Sequence, residues 1–342
     1  MALFEVTQFD RQFYEEKLRD RLPDRLLDVH THVYLKEHKN VRGGVKNRAV
    51  TWPGRVAPDD SIEDLLETYR ILFPGKRVTP NIFGSANQND DLDAQNRYIE
   101  ESAAKYALPA FLYAAPWWTR EELEARLDGY PYKGLKVYLQ LSPLYIPEKE
   151  IRIFDFLTPG MLDVVNERKL AVMLHIPRDG RLKDPVNIEQ IREICRNWPD
   201  VKLIIAHIGR AYCRSDVGDG LEILKKEPDL LFDFSANCNT WVMEELIKAV
   251  GPGRILFGSD MPILRMRTRR IEENGRYVNL IAPGAYGDVS GDSHMREVEG
   301  EEFTFFMYRE LEAFLDAADR TGLGRADLED VFWNNAARVL EL

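Results

Sequence analysis

The stretch LAVMLHIPRDGRLKDPVNIEQIREICRNWPDVKLIIAHIG, residues 170–209, decides the fold. It opens on a short apolar run, LAVMLHI (170–176), that ends beside a histidine. NIEQIREICRNW (187–198) follows with the period of an amphipathic helix, and VKLIIAHI (201–208) is a second apolar run, again reaching a histidine. Near-continuous apolar runs are what strands covered on both faces look like. A strand, a helix and a strand in that order make a parallel βα unit.

The same rhythm extends in both directions. Candidate strands are RLLDVHTH (25–32), RVTPNIF (77–83), LPAFLYAA (108–115), GLKVYL (134–139), LLFDFSA (230–236) and RILFGSD (254–260). Helical stretches lie between them, among them DDSIEDLLETYRIL (59–72), TREELEARLDG (119–129) and NTWVMEELIKAVG (239–251). In the second of these, Thr119 precedes Glu122 by three residues, which marks a helix start. Eight strands alternating with helices predict an α/β protein, a TIM (β/α)8 barrel. A doubly wound open sheet is the alternative, and Pro80 interrupts the second strand. The chain reads as a single domain, 1–342, with an N-terminal helical extension over 1–24 and closing helices after residue 303. Two stretches are longer than ordinary loops, 33–58 after the first strand and 261–300 after the eighth, and read as lids or insertions.

Bulk properties narrow the function. The chain has 342 residues, 44% hydrophobic and 30% charged, as in an ordinary soluble globular protein. A formal net charge of -11 argues against a nucleic-acid surface. Cys195, Cys213 and Cys238 form no CxxC pair, which suits reduced thiols in a cytoplasm. The start, MALFEVTQFDRQFYEEKLRD, has no apolar core of a signal peptide, and no run is long and apolar enough for a membrane span. The expectation is a soluble, cytoplasmic protein.

Of six histidines, His30, His32, His175 and His207 fall at the ends of predicted strands. Side chains alternate along a strand, so His30 and His32 point the same way. Asp260 ends the eighth strand, which in a closed barrel lies beside the first. Imidazoles and a carboxylate meeting at the C-terminal mouth make a nitrogen and oxygen site for a divalent ion. Taken singly, any of these histidines could be a structural hydrogen-bonder.

Together, DVHTH, VMLHIP, LIIAHIG, LFGSDMP and the closing NNAARVL resemble the amidohydrolase superfamily, specifically its amidohydrolase-2 branch, from about residue 26 to the C-terminus. That resemblance implies His30, His32, His175 and Asp260 as ligands of one divalent metal ion. Zinc suits the donors best, with manganese, iron and cobalt as alternatives. It further implies His207 as the catalytic base on the metal-activated water, with Asp260 as ligand and proton shuttle. The branch contains lactonases and other hydrolases, and also decarboxylases and hydratases. Some superfamily members carboxylate a strand-four lysine to bridge two metals. For Lys136 in GLKVYL, a substrate-binding ammonium and a structural lysine stand beside that reading.

Basic residues cluster on this acidic chain. Lys36, Lys39, Arg42, Lys46, Arg48 and Arg55 follow the first strand, and Arg265, Arg267, Arg269 and Arg270 follow the eighth. They predict a positive rim for a small anionic substrate, with Arg265, Arg267, Arg178 and Arg210 as binding residues; charges facing water or a neighbouring subunit are the alternative. Trp117, Trp118 and Tyr138 are candidate pocket aromatics, and His38 and His294 read as exposed loop histidines. The expected function is hydrolysis of a lactone, amide or ester bond in such a metabolite. Decarboxylation or hydration of an unsaturated carboxylic acid is the alternative, and a degenerate barrel that only binds a ligand is the non-catalytic one. A homo-oligomer is compatible with amphipathic outer helices, but no interface is legible.

Overall fold

The computed structural model describes residues 3–39, 41, 52–85 and 87–342. Eight strands recur along the chain: β1 (Arg25–His32), β2 (Arg77–Phe83), β3 (Phe111–Tyr113), β4 (Gly134–Val137), β5 (Ala171–Leu174), β6 (Lys202–Ile205), β7 (Leu231–Asp233) and β8 (Ile255–Leu256). β3 to β8 pair in chain order as one parallel sheet, and β1 pairs with β2, also parallel. The two sets touch at both ends. Ile82 N donates to Pro109 O at 3.0 Å on one side. On the other, Val29 N donates to Phe257 O at 3.0 Å, and Asp260 N to His30 O and His32 N to Met261 O, each at 2.8 Å. The expected parallel α/β architecture is therefore present.

The connecting helices carry the start signals their sequences predict. Ser61 and Asp64 form a reciprocal capping box on the helix Ile62–Leu72, and Thr119 and Glu122 another on Arg120–Gly129. Asp184 caps Pro185–Asn197, with Pro185 in the first turn. Each such cap contributes about 1 kcal/mol by satisfying amides the helix leaves unpaired.

Pro80 does not break β2, because it falls at an irregularity in the pairing. Asp28 faces Pro80 and Thr31 faces Ile82, so β1 carries an extra residue there. Proline tolerates such a bulge because no ladder amide is needed. Side chains restore the pairing: Asn81 Nδ2 donates to Val29 O at 3.1 Å, and Thr31 Oγ1 to Asn81 O at 2.8 Å.

The segment expected as a lid or insertion after the eighth strand is folded. After Met261 it forms a three-stranded sheet of β9 (Arg269–Glu273), β10 (Arg276–Ile281) and β11 (Met295–Glu297). A turn at Asn274 and Gly275, both at positive φ, joins β9 to its antiparallel partner β10. In the earlier loop, Arg42, Lys46 and Arg48 lie outside the described residues. The N-terminal extension begins with the helix Gln8–Phe13, and Phe13 and Tyr14 stack on Tyr308 of the closing helix Phe306–Thr321. No helix among the described residues is long and apolar enough to cross a membrane. The three cysteines are free.

Candidate metal and substrate site

Local backbone places the site just past the strand ends. β5 ends at Leu174, β6 at Ile205 and β8 at Leu256, so His175, His207 and Asp260 stand on the turns that follow and not within the ladder as expected. His207 (φ 56) and Asp260 (φ 59) adopt the left-handed conformation, which costs energy for a residue with a Cβ and recurs at functional sites. Gly258 is required for close approach, since a Cβ there would lie 2.9 Å from His30 Cβ.

Three imidazoles turn their Nε2 atoms toward one carboxylate. Asp260 Oδ1 lies 3.2 Å from His32 Nε2 and 3.4 Å from His30 Nε2, and its Oδ2 lies 4.0 Å from His207 Nε2. His30, His207 and Asp260 form the tightest group, with ligand atoms within 4.8 Å of one another. The other ring nitrogens are tied back. His30 Nδ1 donates to Asp233 Oδ2 at 2.9 Å, His32 Nδ1 to Gly84 O at 2.9 Å and His207 Nδ1 to Ser235 O at 3.1 Å. Because each of these acceptors holds the hydrogen on Nδ1, the Nε2 lone pair is left facing Asp260. His175 stands beside this group, its ring 5.2 Å from that of His207 and 4.7 Å from that of Tyr138. Its Nδ1 is buried without a hydrogen-bond partner, an orphan that a bound ion or ligand would relieve.

The electrostatics suit a cation. Burial holds His30 and His175 well below the usual imidazole range, helped by the charges of Lys136 and Arg210 respectively; burial also lowers His32. Burial pushes the Asp260 carboxyl up, but His207, His32 and His30 outweigh it and hold it well below the usual carboxylate range. Neutral imidazoles beside an ionised carboxylate are the donor set of a divalent metal. Lys136 is fully buried, with Nζ 3.0 Å from His30 Nε2 and 4.8 Å above the Phe83 ring. Burial lowers its ammonium to about 8, against the pull of Asp260 and Asp233.

A cavity of about 650 Å³ opens over these residues and is walled in part by Tyr34, Trp52, Tyr138, Tyr212, Arg270 and Tyr277. The family-level signal comes from comparison with known proteins: the sequence profile of the amidohydrolase family matches residues 27–293. The chain belongs to the amidohydrolase family.

Solved structures of other proteins share its fold at low identity. A dihydroxybenzoic acid decarboxylase from a Polaromonas species, with bound manganese and the inhibitor 2-nitroresorcinol, is 14% identical with a TM-score of 0.53, covering 94% of this chain and 98% of that one. A probable 2-pyrone-4,6-dicarboxylic acid hydrolase from Acinetobacter baumannii, with citric acid bound, is 13% identical with a TM-score of 0.54, covering 93% and 99%. An amidohydrolase from Burkholderia multivorans with bound zinc is 12% identical with a TM-score of 0.55, again covering 93% and 99%. The search of curated proteins found no match.

Within this amidohydrolase, Lys36, Lys39 and Arg270 of the expected basic rim line the cavity, whereas arginines named as substrate-binding residues make structural contacts. Arg265 pairs with the buried Asp60 at 2.7 Å, and Arg267 donates to the buried Asp10 at 2.7 Å and to Phe303 O at 3.1 Å. Arg178 faces Asp184 at 3.7 Å. None of the three lines the cavity. Arg210 lines a second, adjoining cavity, where its Nη1 donates to Pro177 O at 3.0 Å. Trp117 is exposed and Trp118 packs against Arg126, so only Tyr138 of the three expected aromatics reaches the site. His38 and His294 are half-buried, not exposed; His294 stacks on Tyr277.

Sequence reasoning missed Asp233 and Ser235 and did not single out Arg270 within the expected rim. Asp233 and Ser235 sit in LLFDFSA, where alternate polar residues in an apolar strand were the available signal. Arg270 was one of several arginines in RMRTRR, and only the fold shows which of them faces the cavity.

Proposed function

We propose that this amidohydrolase is a metal-dependent hydrolase that opens a lactone, amide or ester bond in a small carboxylate-bearing molecule. The shared aim of the His30, His32 and His207 Nε2 atoms at Asp260 is the observation that carries the reading. The hydrogen bonds that join β1–β2 to the six-stranded sheet at both ends support a closed (β/α)8 barrel beneath it.

His30, His32, His175 and Asp260 would hold one divalent ion, with zinc favoured by the donors and manganese, iron or cobalt as alternatives. When bound, such an ion supplies Lewis acidity, lowering the pKa of a coordinated water from ~15.7 toward ~7 and polarising a carbonyl. The protein supplies the rest. His207 is assigned as the proton carrier: it lines the cavity with its Nε2 4.0 Å from Asp260 Oδ2. With Nδ1–H fixed on Ser235 O, its Nε2 takes a proton and returns it to the leaving group. Asp233 orients both His30, through Nδ1, and His207, whose amide donates to its Oδ1 at 2.8 Å. Arg270 meets the substrate carboxylate, and Lys136 lies on the cavity floor as a second cation.

A second reading, non-oxidative decarboxylation or hydration of an unsaturated acid, draws support from the likeness to the dihydroxybenzoic acid decarboxylase. Both readings use the same metal residues. Metal content by plasma mass spectrometry tests the core of the proposal: about one zinc or manganese per chain, lost in His175→Ala, is the expected result. No metal in chelator-free preparations overturns it, and two per chain make Lys136 a bridging carbamate. Opening of anionic lactones against release of carbon dioxide from hydroxybenzoates then separates the two chemistries.

A further inference from the structure

One hydroxyl lies between the imidazole assigned to the metal, His30, and the imidazole assigned to the proton, His207. Ser235 Oγ is 2.9 Å from His207 Nδ1, 3.3 Å from His30 Nδ1 and 2.5 Å from Asp233 Oδ1. All four residues are buried.

The hydrogens of this group have one consistent arrangement. A carboxylate only accepts, so each neighbour of Asp233 gives it a hydrogen. Oδ2 takes the one on His30 Nδ1 at 2.9 Å. Oδ1 takes the amides of His207 and Ser235, at 2.8 and 3.1 Å, and the Ser235 hydroxyl. With its own hydrogen given to Asp233, Oγ has only lone pairs left to offer. The hydrogen on His207 Nδ1 meets one of them. It is shared with Ser235 O at 3.1 Å, and the hydroxyl is the shorter arm. His30 differs, since a carboxylate oxygen at 2.9 Å outcompetes a hydroxyl at 3.3 Å for its hydrogen.

The local chain holds the hydroxyl in place. β7 ends at Asp233, and the Ser235 amide turns back onto that side chain, a turn that aspartate favours. Ala236 follows at φ 52, in the left-handed conformation, and Arg270 Nη1 donates to its carbonyl at 2.6 Å. β7 pairs with β6 on one side, so a side chain just past its end reaches the turn that carries His207.

We infer that Ser235 is a positioning residue for the base: its hydroxyl carries the pull of the Asp233 carboxylate to His207 Nδ1 and keeps the hydrogen off Nε2. This rests on reading His207 as the proton carrier. One acid thereby serves His30 directly and His207 through a hydroxyl. When His207 Nε2 takes a proton, the charged ring presses its Nδ1–H harder on Oγ, and the hydroxyl passes that polarisation to Asp233. No proton leaves Ser235.

The test is nitrogen NMR of isotope-labelled histidine rings in the metal-replete protein, which shows without any substrate which ring nitrogen carries the hydrogen. Wild-type His207 should carry it on Nδ1. In Ser235→Ala the ratio of Nδ1–H to Nε2–H forms should fall about tenfold, the scale of one charge-assisted contact. Ser235→Thr keeps a hydroxyl and should bring the ratio back to within about threefold of wild type. Zinc affinity, titrated against a chelator, should move by less than about threefold in Ser235→Ala, because His30 keeps its own bond to Asp233. A wild-type His207 with its hydrogen on Nε2, a ratio unmoved in Ser235→Ala, or a zinc affinity that falls as far as the ratio overturns the inference. Wild type and Ser235→Ala decide the question even where the bulkier threonine does not fold. Failure of the two ideas looks different. A protein that holds no metal sinks the catalytic reading whatever its tautomers, and a metal-loaded protein indifferent to Ser235→Ala sinks Ser235 alone.

Discussion

Asp233 Oδ2 lies 2.9 Å from His30 Nδ1, with side chains only 0% and 1% exposed, and the other oxygen of the same carboxylate accepts the His207 amide. One buried acid thus orients the His30 imidazole and holds the His207 backbone on the turn after β6. Asp233→Asn keeps the shape but offers an amide where an acceptor is needed. Metal affinity, titrated against a chelator, should fall about 10–100-fold, as for other outer-sphere partners of metal-binding histidines. Unchanged affinity would show that His30 is held by other means.

Arg265→Ala should damage stability and leave substrate affinity alone. Asp60 is fully buried, and burial pushes its carboxyl up to about 7 although Arg265 pulls it down. A folded-state pKa above the unfolded ~3.9 means the native state holds the proton more tightly, so this group subtracts stability as pH rises from about 4 to 7. Without Arg265 that loss deepens and extends to higher pH. Denaturant melts should show about 3 kcal/mol lost at pH 8 and less at pH 5, with KM unmoved. A raised KM would return Arg265 to the substrate rim.

Glu310 is buried in the closing helix, and neither carboxyl oxygen has a hydrogen-bond partner. Burial raises it well above the usual range, with Asp28 adding to the effect. By the same sign argument it costs stability increasingly above about pH 4. Glu310→Gln should therefore stabilise the protein by roughly 1–3 kcal/mol at pH 8 and by little at pH 4. Equal melting of the two proteins at both pH values would contradict the burial of this acid.

Asn81 carries the irregular stretch of β1 that leads into His30 and His32. Asn81→Ala removes the donor to Val29 O and should cost about 1–2 kcal/mol. Because the bulge aims both histidines, the variant should also release metal faster to a chelator. Lost stability with unaltered metal release would separate the bulge from the site.

Much of the architecture was legible because strands covered on both faces must be apolar throughout, and all eight runs quoted from the sequence contain a strand. RVTPNIF reads poorly by composition, yet β2 spans it, since the pairing irregularity removes the need for the amide Pro80 lacks. His30, His32, His175, His207 and Asp260 were legible as strand-end polar residues, and the structure gathers them at one cavity. Arginine roles were not. RMRTRR gives four guanidiniums equal standing, but Arg265 and Arg267 meet Asp60 and Asp10, which lie far away in sequence. Distant pairings of that kind have no local signature. The small sheet over 269–297 was hidden for a related reason, since β9 and β11 are short and mostly charged, and with turns between them they read as an irregular loop.

The origin of Tyr277 and of Arg270 has a consequence for how this enzyme could change. The metal-side residues stand on the parallel strands and their first turns, whereas Arg270 and Tyr277 come from β9 and β10, a cassette inserted after β8. Part of the cavity wall is thereby built from a segment separate from the imidazoles that face Asp260. A homologous scaffold could exchange residues 269–297 and reshape that wall without touching His30, His32, His175 or His207, so the cassette is the natural unit for transplantation and for library design.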